Sequence, residues 1–131
     1  MDVEVVRRFY DAVARRDVDA ASRCLTEDAV WHLPGHSVIS GDHVGWPAIR
    51  DDFLTRLGPL SGGSFRAELL DVTIGDQFVV AVQHATGRHE GRLLDVTGCQ
   101  LMTLADGLID TVRGHYSDQA QLDAFWGGSG D

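Results

Sequence analysis

The amino-acid sequence predicts an α+β fold: a cone-shaped curved antiparallel sheet, packed on N-terminal helices, that encloses an apolar pocket. Three observations predict it. Apolar residues recur at helical spacing only in the first half of the chain and in a short tail. Alternating β-rich runs fill residues 65–116, separated by glycine-containing turns. Helices and strands are therefore segregated, which marks α+β rather than parallel α/β. A single long, twisted sheet curls, and helices closing one side give it an interior.

Each element has its own signal. Val3, Val6, Phe9, Tyr10 and Val13 form one face of a helix over 3–16, with Arg7, Arg8, Asp11, Arg15 and Arg16 largely on the other. Asp17 is placed to cap a short second helix, with Val18, Ala21 and Leu25 facing inward. Thr26-Glu27-Asp28 reads as a turn, and Ala29–Leu33 as a short strand stopped by Pro34-Gly35. Residues 35–45, with three glycines and little periodicity, read as a loop. Pro47 suits the first turn of a third helix whose stripe is Ile49, Phe53 and Leu57 and whose end is Gly58-Pro59. Residues 61–64 read as a flexible connection. Four strands follow: Phe65–Ile74, Phe78–His89, Leu93–Leu104 and Leu108–Tyr116. Their turns are Gly75-Asp76, Glu90-Gly91 and Asp106-Gly107. Leu122, Phe125 and Trp126 predict a helical turn that packs back, before a frayed Gly-Gly-Ser-Gly-Asp end.

Composition narrows the function. The 131 residues fit one domain, 1–131. The net charge of −9 and an acidic surface argue against nucleic acid as a partner. No stretch reaches the length of a membrane span, and Asp2, Glu4, Arg7 and Arg8 do not open a secretory signal, so the expectation is a cytoplasmic protein. All eleven basic residues are arginine, which excludes a lysine Schiff base. Cys24 and Cys99 read as reduced, buried apolar side chains.

The order and spacing of these pieces resemble the nuclear transport factor 2-like superfamily, and within it the SnoaL-like (polyketide cyclase-like) group. Arg8-Phe9-Tyr10-Asp11-Ala12 leading to Asp17, Leu25 through Trp31, Gly41 through Gly45 leading to Ile49, Asp106-Gly107-Leu108-Ile109, and His115-Tyr116-Ser117-Asp118 with Leu122–Trp126 carry the resemblance. It implies a cystatin-like α+β barrel, a conical pocket on the concave sheet face, and frequent homodimers through the outer face. It also implies members that are isomerases, cyclases, dehydratases, epoxide hydrolases or plain binders. The helix tyrosine and strand aspartate of the ketosteroid isomerase-like branch correspond here to Phe9 and Leu33, which argues against that chemistry and adds both residues to the pocket wall. The last-strand acid of the cyclase-like members corresponds to Gly114, and the nearest carboxylate on the same alternating face is Asp110.

Histidine is then the conspicuous polar residue type. His32 and His36 lack the spacing of a metal pair, and neither metal nor organic cofactor is expected. His84, mid-strand among Val80, Val82 and Ala85, is the candidate acid/base, with Tyr116 and Asp110 as polar partners. Alternation does not decide its face, because both faces of that strand carry apolar residues. Tyr10, Trp31 and Trp46 complete the candidate walls. The expected function is cofactor-independent proton transfer, as in cyclisation, isomerisation or dehydration, on a small, largely apolar oxygenated molecule. The alternatives are a non-catalytic binder of such a molecule or a dimerisation module.

Overall fold

The computed structural model describes residues 3–128. Asp2 and the last three residues of the glycine-rich end lie outside the described residues. The order is α1 (Glu4–Ala14), α2 (Val18–Ser22), β1 (Leu25–Leu33), β2 (Gly41–Val44), α3 (Trp46–Asp52), α4 (Leu57–Ser61), β3 (Arg66–Ile74), β4 (Val79–His89), β5 (Arg92–Ala105), β6 (Leu108–Tyr116) and α5 (Gln119–Trp126). The six strands form one curved sheet in the order β2-β1-β6-β5-β4-β3. Every pairing is antiparallel except β1 with β6, which is parallel.

The helices form where the pattern places them. α1 buries Val5, Val6, Phe9, Tyr10 and Ala12 against the sheet, and each large apolar side chain so buried contributes about 1.5–3 kcal/mol. Asp17 caps α2, its Oδ1 accepting from Ala20 N at 3.0 Å. That backbone N–H holds the Asp17 carboxyl below the usual carboxylate range. At the other end of the chain, α5 is a full helix capped by Asp118 rather than a single turn.

Four local readings are corrected. The expected turn at Thr26-Glu27-Asp28 is instead part of β1, which passes through it with a register shift against β6 between Leu25 and Val30. The expected loop 35–45 contains β2, whose Val44 to Gly41 pair with Val30 to Leu33. The third helix breaks after Asp52, and the chain re-enters α4 through a 3-10 turn. Pro59 does not end this helix. It sits in the first turn of α4, where a missing N–H removes no intrahelical bond. The connection at 61–64 is pinned rather than free: Ser61 is fully buried, its hydroxyl donating to Leu57 O and accepting from Phe65 N.

The meander matches expectation closely. Glu90-Gly91 and Asp106-Gly107 both adopt left-handed backbone angles, the geometry of two-residue hairpins that suit twisted strands. Along β4, Val79, Ala81, Gln83 and Ala85 face inward and the residues between them face outward. Cys99 stands half-buried on the outer face opposite His115, not inside as expected. Gly127 and Gly128 of the tail are held by the loop before β2, with Val38 N donating to Gly127 O at 2.9 Å. Among the described residues no helix is long and apolar enough to cross a membrane.

Candidate functional site

The concave sheet face and the helices enclose a cavity of about 60 Å³. Its wall is aromatic and aliphatic. Phe9 and Val13 come from α1, Trp31 and Leu33 from β1, and Leu54 and Leu57 from the 3-10 turn and α4. Trp31 packs between Phe9 and Phe53, with ring centroids at 5.4 and 5.1 Å. Phe65 and Trp126 form the opposite wall at 5.1 Å. His43 is buried against Phe53, stacked on its ring with its Nε2 bonded to Ile39 O at 2.7 Å.

Polar groups gather at one end. Tyr10 donates its hydroxyl to Gln83 Oε1. Gln100 Nε2 donates to Tyr116 Oη at 2.8 Å and more weakly to Gln83 Oε1 at 3.4 Å. Both glutamines are almost sealed from solvent, at 5 % and 2 % exposure. Burial raises the Tyr10 phenol far above its ordinary range, and Tyr116 and Cys99 nearby push it the same way. Burial raises Tyr116 too, against the downward pull of the Gln100 hydrogen bond. Both phenols therefore stay protonated at neutral pH and serve as donors or acceptors, not as bases. Among the described residues two buried polar atoms, Trp31 Nε1 and Gln100 Oε1, have no partner. Each such atom costs about 1–3 kcal/mol relative to a satisfied one.

Two glycines shape this end. Tyr116 lies over Gly98 and Gly114. A β-carbon at Gly98 would stand 2.5 Å from the ring, and one at Gly114 2.9 Å from the Tyr116 oxygen and 3.1 Å from Gln100 Oε1. The position that the resemblance associates with an acid is thus covered by a phenol and an amide. The other end of the cavity carries Ser37, Gln119 and Asp123. Asp123 is half-buried, and its Oδ1 accepts from Gln119 Nε2 at 3.0 Å.

The candidate residues separate accordingly. Phe9, Tyr10, Trp31, Leu33 and Tyr116 line the cavity. Trp46 does not; it opens α3 and packs against the core from outside the cavity. Asp110 does not either. It is the extra residue where Thr103 pairs with Thr111 but Leu104 pairs with Ile109, so the alternation that would bring it inward is broken. Its Oδ1 accepts from Thr26 Oγ1 at 2.8 Å. His84 is on the outer face, one residue out of phase with Gln83 and Ala85, opposite Glu68 and Thr97. Its Nε2 meets Asp95 Oδ1 at 2.6 Å near solvent. His32 likewise turns outward to Asp42 at 2.7 Å. The proposed trio of His84, Tyr116 and Asp110 is therefore not brought together.

Gln83, Gln100 and Asp123 escaped the sequence reading. A signal for the glutamines was present: they interrupt two otherwise apolar or small inward rows, Val79-Ala81-Ala85 and Val96-Gly98-Met102. Among the described residues no three His, Cys, Asp or Glu side chains cluster as a metal site.

Comparison with known proteins places this geometry. A family model for the SnoaL-like domain matches residues 6–112. An uncharacterised protein of Mycobacterium tuberculosis is 30% identical over 129 residues, covering 95% of each chain. Bal32a, from a soil-derived mobile gene cassette, is 36% identical with a TM-score of 0.90, again over 95% of each chain. A Xanthomonas campestris protein described as having a cystatin-like fold is 28% identical with a TM-score of 0.86, covering 95% of this chain and 97% of that one.

Proposed function

The chain belongs to the SnoaL-like family, and from that premise we propose that its cone binds a small, largely apolar, oxygenated molecule. The observation that carries this reading is the Tyr10–Gln83–Gln100–Tyr116 cluster at one end of a cavity whose wall is mainly aromatic and aliphatic. An apolar wall with a few convergent polar groups is the usual form of a small-molecule site. The wall contributes affinity through burial of hydrocarbon, and the cluster orients the ligand's oxygen. The protein purified from cells and run by native mass spectrometry should carry such a molecule. Alternatively, a library of small oxygenated aromatics should contain compounds that raise its Tm. A compound at a hundred times its Kd stabilises by about 2.7 kcal/mol. Failure of both measurements overturns the reading.

Proton transfer is the second reading, and Asp123 favours it. It is the carboxylate of the cavity lining among the described residues, and a carboxylate near a bound carbon acid can act as general base. The phenols of Tyr10 and Tyr116 would supply hydrogen bonds to the developing charge. Asp123→Asn should then retain binding and lose turnover; turnover that survives the substitution excludes it. His84 has no part in this reading because it faces away. For assembly, the outer face offers Val80, Val82 and Leu101 as a half-buried row. A homodimer through that row should become monomeric in light scattering when Val82 is replaced by Arg.

A further inference from the structure

Two side chains of the cavity lining each bury one polar atom that has no partner among the described residues. These atoms are Trp31 Nε1 and Gln100 Oε1, in residues only 4 % and 2 % exposed. An indole N–H donates only, and an amide oxygen accepts only. Exchanging the oxygen and nitrogen of Gln100 does not remove the second orphan. The nitrogen would then be the stranded atom, and the oxygen would face Gln83 Oε1. Buried polar groups without partners are rare in native proteins, so a pair in one cavity wall calls for an explanation.

Their placement suits a single small molecule. Trp31 pairs with Val112 and Val112 with Met102, while Gln100 pairs with Gly114. The two residues are therefore two strands and two positions apart on the same concave face, with backbones about 12 Å apart. Both side chains reach inward across that distance. Neither atom has appreciable accessible surface, and about 60 Å³ is small for a ligand site. An occupant larger than this would have to part the walls, and to bond these two atoms it would have to expose both.

We propose, resting on the small-molecule reading above, that the occupant is a hydroxy-carbonyl compound. Its carbonyl oxygen accepts from Trp31 Nε1, its hydroxyl donates to Gln100 Oε1, and its hydrocarbon body lies against Phe9, Phe53 and Leu57. The orphaned donor and acceptor together read one acceptor and one donor on the ligand.

The test is calorimetric titration with four matched probes. These are 4-hydroxyacetophenone, 4-ethylphenol without the carbonyl, 4-methoxyacetophenone without the donor, and 4-ethyltoluene without either. The wild type should bind 4-hydroxyacetophenone roughly two- to tenfold more tightly than either singly altered probe. Trp31→Phe should erase the preference over 4-ethylphenol and keep the preference over 4-methoxyacetophenone. Gln100→Leu should do the reverse, and Gln100→Met replaces it if the leucine variant does not fold. Equal affinity for all four probes overturns the hydroxy-carbonyl assignment and leaves the small-molecule reading standing. Preferences that persist in both variants overturn it as well. No binding of any probe also overturns the hydroxy-carbonyl assignment, and the mass spectrometry and Tm measurements above then decide the small-molecule reading on their own.

Discussion

The glycine cradle under Tyr116 makes a quantitative demand. A β-carbon at Gly98 would lie 2.5 Å from Tyr116 Cδ1 and 2.9 Å from His115 O. Neither neighbour gives way easily. The carbonyl is backbone of the paired strand, and the ring is tethered by Gln100 at 2.8 Å. Overpacking of this kind costs about 1–3 kcal/mol, and a backbone clash belongs at the upper end. Stiffening of the unfolded chain by alanine returns about 0.4–1 kcal/mol. The net expectation for Gly98→Ala is a loss of about 2 kcal/mol. With an unfolding entropy of about 2.1 cal/mol/K per residue over 131 residues, Tm falls by about 7 °C. Thermal unfolding followed by circular dichroism measures it. Gly128→Ala is the comparison, because a β-carbon there meets nothing within 4 Å. It should change stability by less than about 0.5 kcal/mol. In a Tyr116→Ala background, Gly98→Ala should lose at least about 1 kcal/mol of its penalty. An unchanged Tm for Gly98→Ala, or an undiminished penalty without the Tyr116 ring, refutes the cradle.

Three further outcomes are expected. Tyr10→Phe removes the hydroxyl donation to Gln83 and should cost about 1–2 kcal/mol in urea unfolding; no change would show that Gln83 finds another donor. Both tyrosines of the chain have raised phenol pKa values, so the folded protein should show no tyrosinate absorbance at 295 nm near the ordinary value of 10.0. The sign follows from the same shift: the unfolded chain releases these protons first, so stability is intact below about pH 10 and falls above it, by up to about 1.4 kcal/mol per pH unit for each tyrosine. A normal titration of either phenol in the folded state contradicts this. His84→Ala should change stability by less than about 1 kcal/mol and probe affinity by less than about twofold, since its Asp95 pair is largely solvated. A large loss of binding would return His84 to the site.

What could be read from the sequence followed the strength of local chemistry. Glu90-Gly91 and Asp106-Gly107 announced their hairpins because few other residues accept left-handed backbone angles in pairs. β2 was missed because Gly41-Asp42-His43-Val44 has no intrinsic strand preference and forms only by pairing with β1. Asp110 was misplaced because strict alternation was assumed across a bulge, and a bulge leaves no mark in residue type. His84 was misassigned because Val80 and Val82 make the outer face of β4 as apolar as the inner. The hairpin at Glu90-Gly91 does fix which residues oppose each other, so the neighbouring glutamines were within reach of the sequence. Asp123 was not, since its direction depends on how α5 docks on the rest of the molecule.

The parallel pairing of β1 with β6 bears on how the chain is made. Trp31 meets Val112, about 80 residues later, and in this sheet β2 is the one earlier-made strand that borders β1. At about 5–20 residues per second, a ribosome needs about 4–16 s to deliver the missing neighbour. During that interval the strand carrying Trp31 has only the short β2 beside it, and its apolar face is open to water and to other nascent chains. The chamber therefore comes into being only once β6 has emerged, and a chain stalled before Leu108 lacks the strand that carries Gly114 and Tyr116.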